Sequence, residues 1–531
     1  MTSAYLTALM AVFLAVRVVP RRIFSHGEGY LCSDKWVHLY YAKLYRDNGY
    51  RWISQWPRTD IQGPVRSYPP LFHWLISFIG QETLLRNEQY VTTAIQLATC
   101  AMIAAFACTF TSRFGLGDPL VFTVLTGAAY CFLPILFGPN SGMVFCTARP
   151  FGAFFSNLFL VSLALFSMSH SAISAACCVL AFFLAAVSSR FAVQTNVFIS
   201  CVFVLIRGDL MALGLAAASA AVTLTAGYGV YRPVLKNHIR HLVVYKKIFM
   251  TGIEDMLEKH SSFLRAIGRS FDSFRKEGFL GIVREFYNAP AMRIALMNPL
   301  TIFSLAGGAF LYGSLPESVR VLYTLLVSGM VVTLLTATPW LKYLGDAERY
   351  LEFGCLFPTC FISVYLALQL GLMVPWAAIL AYSIVFAFFS FRFHPRVNPG
   401  RQEELFTFLA TVEGKKVITF PTSFYPMILL SSNVRIPYME GWQMMEPYYN
   451  PKDFSSLKKR WDHLYGIFPG PNMETLDEQT KEFGIDLIIY CRQETPMAKR
   501  EKIEAFLGGY PLVYDNGDYR VYQALREGGG Q

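Results

Sequence analysis

Asp34 and Arg349 are the two side chains of this sequence whose surroundings best equip them for chemistry. Asp34 opens the run Ser33-Asp34-Lys35-Trp36-Val37-His38-Leu39-Tyr40-Tyr41-Ala42, which reads as a short helix with Ser33 as N-cap and Gly49 as stop. A carboxylate in a first helical turn complements the helix dipole, or it offers a base to a hydroxyl as charge develops on it. From these residues alone the two readings stand level. Arg349 lies in Gly345-Asp346-Ala347-Glu348-Arg349-Tyr350-Leu351, directly before an apolar run. A guanidinium there binds phosphate oxygens through its planar fork, snorkels to a membrane interface, or pairs with Glu348. Lys342 and Arg149 are further cations at the edges of apolar runs, and interfacial anchoring is their plainer reading.

His38 and His73 are candidates for lining a substrate site, although packing on amphipathic segments is the simpler role for both. Tyr68 belongs to Tyr68-Pro69-Pro70-Leu71-Phe72-His73-Trp74, in which two prolines fix the backbone ahead of a second short helix. Trp36, Leu39 or Tyr40, and Lys43 fall on neighbouring turns, as in a helix lying in an interface plane.

The elements that must position these residues are membrane helices. The 531 residues are 54% hydrophobic and only 15% charged, with a mean hydropathy of +0.38. Apolar runs of roughly 17 to 25 residues recur, each long enough to cross ~30 Å of hydrocarbon as a helix. About eleven spans are predicted, near 3–20, 90–112, 119–137, 150–168, 171–188, 191–206, 209–231, 296–313, 320–338, 350–371 and 374–391. The 171–206 region is ambiguous, because Arg190 either separates two spans or sits in a bent one. Trp74, Trp340 and Trp376 stand near run ends and read as interfacial anchors. Cys100, Cys108, Cys131, Cys177, Cys178 and Cys201 lie inside apolar runs without metal-ligand spacing and read as packing residues. The formal charge of +10 fits contact with anionic lipid or phosphate and selects nothing further, while the interrupted polar loops exclude a nucleic-acid role.

Residues 1–394 form the transmembrane unit, with a long first loop at 21–89 and a basic amphipathic loop at 232–295. Residues 395–531 read as a small α/β domain. Its signals are a strand at Lys416–Phe420, a helix before Gly484, a strand at Ile485–Tyr490, and a hairpin of Leu512–Tyr514 and Tyr519–Tyr522 around Asp515-Asn516-Gly517. An odd number of spans puts the first loop and the tail on one side, the outer one if the N-terminus is inside. Arg21, Arg22 and the basic loop then run against the usual Lys/Arg bias.

The first loop as a whole resembles that of the GT-C superfamily of integral membrane glycosyltransferases, which includes polyprenyl-phosphate-dependent bacterial sugar transferases and protein O-mannosyltransferases. The Asp34-x-x-x-His38-Leu39-x-x-Ala42 run, the Tyr68-Pro69-Pro70-Leu71 segment, Ala148-Arg149-Pro150 and Arg349-Tyr350 are similar to elements of that family in their order along the chain. The polar tail is similar to the soluble domain of several members. The resemblance implies an all-α polytopic fold with interfacial helices and a C-terminal α/β domain. It implies transfer of a hexose or pentose from a polyprenyl-phosphate carrier to a glycan, lipid or protein acceptor hydroxyl, with inversion, at the extracytoplasmic face of a cell membrane. Asp34 takes the role of base, and Arg349, Lys342 and Arg149 that of donor-phosphate ligands, with His38, Tyr68, His73 and Glu348 lining the substrate.

Two departures matter. Lys35 follows Asp34 where many relatives carry a second acid, and Phe151-Gly152 replaces an acid after Arg149-Pro150. A metal held by paired carboxylates is therefore unsupported and no cofactor is expected, while a divalent metal stays open without a paired-acid motif behind it. Glu28 and Asp60 have no spacing argument as a second carboxylate. The rival readings are a transporter or lipid flippase, for which internal repeats are absent, and a non-catalytic subunit on the same scaffold.

Overall fold

The computed structural model describes residues 8, 11–15, 18–20, 23, 29–30, 33–52, 68–137, 142–249, 263–278, 281–282, 290–338, 340–391, 396–437, 452–465, 470–493, 495 and 497–524. Most of the span expected at 3–20 lies outside these, as do Glu28, Trp56, Pro57 and Asp60.

The first loop supplies α1 (Ser33–Asp47) and α2 (Leu71–Ser77). The helical body then runs through α3 (Gln81–Phe114), α4 (Pro119–Cys131), α5 (Ala148–Ser169), α6 (Ala172–Ser188), α7 (Arg190–Arg207), α8 (Leu210–Ala226) and α9 (Tyr228–Val244). After the basic region come α10 (Pro299–Phe310), α11 (Glu317–Thr336), α12 (Arg349–Gly354), α13 (Leu356–Gln369) and α14 (Met373–Ser390). The chain is an integral membrane protein. Among the described residues α3, α5, α7, α11 and α14 are long and apolar enough to cross a membrane. The α8 helix and its continuation to Ile248 make a sixth span if the pair, bent by 110°, counts as one. Shorter apolar helices α4, α6, α10 and α13 complete the bundle.

Local sequence explains the turns. Gly115 and Gly208 end α3 and α7 in the left-handed region at φ 62° and 67°. Asp118 and Asp209 then cap α4 and α8, accepting bonds from Leu120 N at 2.8 Å and Ala212 N at 3.0 Å. Ser189, extended at φ −153°, splits the ambiguous apolar stretch into two helices. The interruption between α12 and α13 at Cys355 would strand buried backbone groups, and the side chain of Asn157 on α5 satisfies them. Its Nδ2 donates to Glu352 O at 3.2 Å and Phe353 O at 3.0 Å, and its Oδ1 accepts from Leu356 N at 3.0 Å. Each such group left unpaired would cost ~1–3 kcal/mol, so α12 is tied firmly to α5.

Three expectations need correction. Trp376 is buried, 3% exposed, and donates to Ser363 Oγ at 3.2 Å, so it packs within the bundle and is no interfacial anchor. The apolar face of α1 is covered by protein: Leu39 and Ala42 pack with Phe72, Ile76, Leu84 and Leu430. Cys201, by contrast with buried Cys100, Cys131 and Cys178, is exposed on the bundle surface.

The polar tail builds a mixed sheet from β3 (Val417–Phe420), β4 (Leu487–Cys491), β5 (Leu512–Asp515) and β6 (Tyr519–Gln523), in the order β3-β4-β6-β5. The β3 and β4 strands are parallel, and the expected hairpin forms with Gly517 at φ 88° in its turn. Two short strands, β1 (Gly29–Tyr30) and β2 (Arg396–Val397), pair antiparallel and link the first loop to the start of the tail. A further helix, α15 (Tyr425–Ser431), packs on α1, and Gln81 Nε2 donates to Leu430 O at 3.0 Å. First loop and tail therefore meet on one side of the bundle.

Candidate active site

Helix α1 opens at Ser33 and carries Asp34 in its first turn. The Asp34 carboxylate, about half exposed, accepts a charged hydrogen bond from Arg149 Nη2 at 2.8 Å. Arg149 is delivered by the start of α5, where Thr147 Oγ1 accepts from Arg149 N at 3.3 Å as the cap. Gly142 makes room for it: φ there is +61°, and a Cβ would come within 2.7 Å of Arg149 Nη1.

Arg349 arrives from the other side, at the start of α12. It is paired with Asp346, packs at 6.0 Å over the Phe191 ring, and lies in the field of Glu352, Asp34 and Glu348. Gly345, at φ 111°, lets the preceding turn pass Phe191, where a Cβ would meet Cε2 at 3.1 Å. Gln194 of α7 steadies this turn, donating to Leu344 O at 2.8 Å and to the Tyr350 hydroxyl. Glu348 pairs with Arg293, not with Arg349. Lys342 is buried in the same turn.

Tyr68 marks the convergence. Arg190 stands over its ring at 5.0 Å, and Arg190, Asp34, Arg149 and Arg349 all act on its hydroxyl, whose pKa burial pushes up. Thus the structure joins Asp34 to Arg149 directly and leaves Arg349 and Tyr68 within electrostatic range of that pair. Sequence reasoning had passed over three participants: Arg190, Arg293 and Glu352. Their signal was an ionisable residue within or directly beside an apolar run.

His38 and His73 form a separate device. Both are buried, their rings stack at 4.9 Å, and His38 Nδ1 lies 2.6 Å from His73 Nε2. The opposite His73 nitrogen faces Pro69 O at 3.1 Å. The pair thereby fastens α1 to the Pro69-Pro70 segment and to α2. Burial, with the nearby Arg149, lowers the His38 pKa to about 3, and burial with His38 lowers that of His73 well below its usual value. Unfolding would release two imidazoles that bind protons below pH ~6.5, whereas in the fold His38 stays neutral down to about 3 and His73 to well below its usual range. Stability is therefore retained above the unfolded pKa and lost as pH falls, by up to ~1.4 kcal/mol per pH unit for each histidine. Thermal unfolding in detergent from pH 7 to 5 should show a steep fall in Tm that His38→Gln with His73→Gln flattens. Parallel slopes in the two proteins would refute it.

Asp34, Asp346 and Glu348 each face an arginine, and no three His, Cys, Asp or Glu residues gather as ligands among the described residues.

No family model matches the chain, and no curated protein does. Among solved structures it is similar to the oligosaccharyltransferase AglB from Archaeoglobus fulgidus in complex with an inhibitory peptide and a dolichol-phosphate. That likeness has a TM-score of 0.57 at 11% identity and covers 99% of this chain and 74% of that one. The Archaeoglobus fulgidus oligosaccharyltransferase in complex with Zn and sulfate gives a TM-score of 0.58, also at 11% identity, over 98% of this chain and 73% of that one. At such identity the likeness is one of fold, and it extends over nearly all of the sequence. The chain has the fold of the Archaeoglobus fulgidus oligosaccharyltransferase AglB, over nearly its whole length.

Proposed function

We propose that this protein is a membrane glycosyltransferase that moves a sugar from a polyprenyl-phosphate carrier to an acceptor hydroxyl, with inversion, on the extracytoplasmic side. The observation that carries this reading is the meeting of the Asp34 carboxylate with Arg149, within the field of Arg349, on the face where first loop and tail join. The neighbouring fold is one that has been seen with a dolichol-phosphate bound, which supports a lipid-phosphate donor.

In the proposed reaction the acceptor oxygen attacks the anomeric carbon as its proton passes to Asp34. The bond from that carbon to the phosphate oxygen breaks, and polyprenyl phosphate departs against Arg349 and Arg149. An arginine fork can bridge a carboxylate and a phosphate, so arrival of the donor would draw Arg149 partly from Asp34 and free the base. Neutral Tyr68 would border the sugar. The same reading gives about eleven spans by the hydrocarbon-length rule, the N-terminus inside, a catalytic unit of residues 1–394 and an outer α/β domain of residues 395–531.

Purified protein in liposomes, supplied with a polyprenyl-phosphate sugar and candidate acceptors, should release polyprenyl phosphate. Movement of intact donor between leaflets without cleavage would replace this reading by a flippase.

A further inference from the structure

Glu88 lies outside the site described above, yet it touches both segments that deliver the site's central ion pair. It is 6% exposed, on α3, immediately after Asn87, where the helix departs from helical geometry at φ −120° and ψ 18°. One carboxylate oxygen accepts from Cys146 N at 3.1 Å. The other lies 3.8 Å from Lys35 Nζ. Cys146 directly precedes Thr147, the cap that sets the direction of Arg149. Lys35 directly follows Asp34. Two turns further along α3, Gln96 Nε2 donates to Met143 O at 2.7 Å and grips the same 142–147 turn.

We infer that Glu88 is a positioning residue, one carboxylate that holds the Asp34 and Arg149 segments in register across the ion pair. This rests on the glycosyltransferase reading for its catalytic consequence, but not for its structural one. A buried carboxylate of this kind persists because both its oxygens are answered by a charge or an N–H. The arrangement also gives Lys35 a purpose: the cation after Asp34 is the handle by which α3 holds the first loop. A displacement of about 1 Å at such a site costs on the order of 100-fold in rate.

The test pairs kinetics with hydrogen–deuterium exchange on the full-length protein in detergent. Glu88→Ala should lower kcat about 10- to 100-fold, with the donor KM changed less than about threefold. It should also speed amide exchange in residues 34–38 and 145–149 together. Glu88→Gln keeps the acceptor for Cys146 N and loses the attraction to Lys35, so its kcat should fall between Ala and wild type. Faster exchange confined to Cys146, with the start of α1 unmoved, overturns the inference. So does a wild-type kcat in either variant, which lets Glu88→Gln alone decide if the alanine protein does not fold. A wild-type protein that releases no polyprenyl phosphate defeats the proposed function instead, and the exchange measurement still decides whether Glu88 couples the two segments.

Discussion

Asp34→Asn should abolish measurable transfer, with kcat reduced roughly 10²- to 10⁴-fold, the span that a positioned general base contributes. The substitution is nearly isosteric and leaves an oxygen able to accept from Arg149. It removes only the charge and the capacity to take the acceptor's proton. The fold should survive, because the Asp34 carboxylate is about half exposed and an asparagine oxygen keeps the bond from the largely buried Arg149. With the carboxylate half in water, loss of its charge should cost on the order of 1 kcal/mol. The expected result is therefore a protein with wild-type elution and near-wild-type Tm, wild-type donor binding, and no release of polyprenyl phosphate. Asp34→Glu keeps the charge but moves it outward by one methylene and should recover only part of the rate. Full activity in Asp34→Asn would remove this residue from catalysis and return it to the role of a helix-dipole partner.

The parts of this architecture legible in the sequence are those dictated by short-range rules. Apolar length marks α3, α5, α7, α11 and α14 because lipid leaves a backbone no alternative to a helix. The Asp515-Asn516-Gly517 turn announces its hairpin because the positive φ at Gly517 is a local demand. The candidate site residues could be named from sequence, but their geometry could not. Asp34 and Arg149 are 115 positions apart, and their contact depends on how the start of α5 is tied to α3 and α12. Read by sequence alone, Arg149 was most plainly a membrane-edge cation, and pairing with Glu348 was one alternative for Arg349 beside phosphate binding and snorkelling. The fold gives Arg149 to Asp34 and Glu348 to Arg293. Trp376 was misjudged because proximity to the end of an apolar run does not reveal which way a helix face turns. Asn157 gave no signal at all, since its value lies in a helix break nearly 200 residues away.

Removing the Arg349 guanidinium should produce the complementary defect. Arg349→Ala should raise the donor KM about 10- to 100-fold, the loss expected when a charge-assisted bond worth ~1.5–3 kcal/mol disappears. The acceptor KM should stay close to wild type, because Arg349 is assigned to the phosphate alone. Arg349→Lys separates two contributions. It restores the charge that faces Asp346 but not the planar fork that fits two phosphate oxygens, so it should recover a minor part of the affinity. Structural damage is a real competitor here, since Asp346 and Glu352 lose the cation whose field they share. Competition distinguishes the two causes: free polyprenyl phosphate should inhibit the wild-type enzyme and lose potency against Arg349→Ala by the same factor as the donor KM rises. A misfolded site would instead lower kcat without that matched shift. Equal inhibition of both proteins would discard Arg349 as the phosphate ligand and leave the clamp to Arg149 and Arg190, whose side chains already converge on Tyr68.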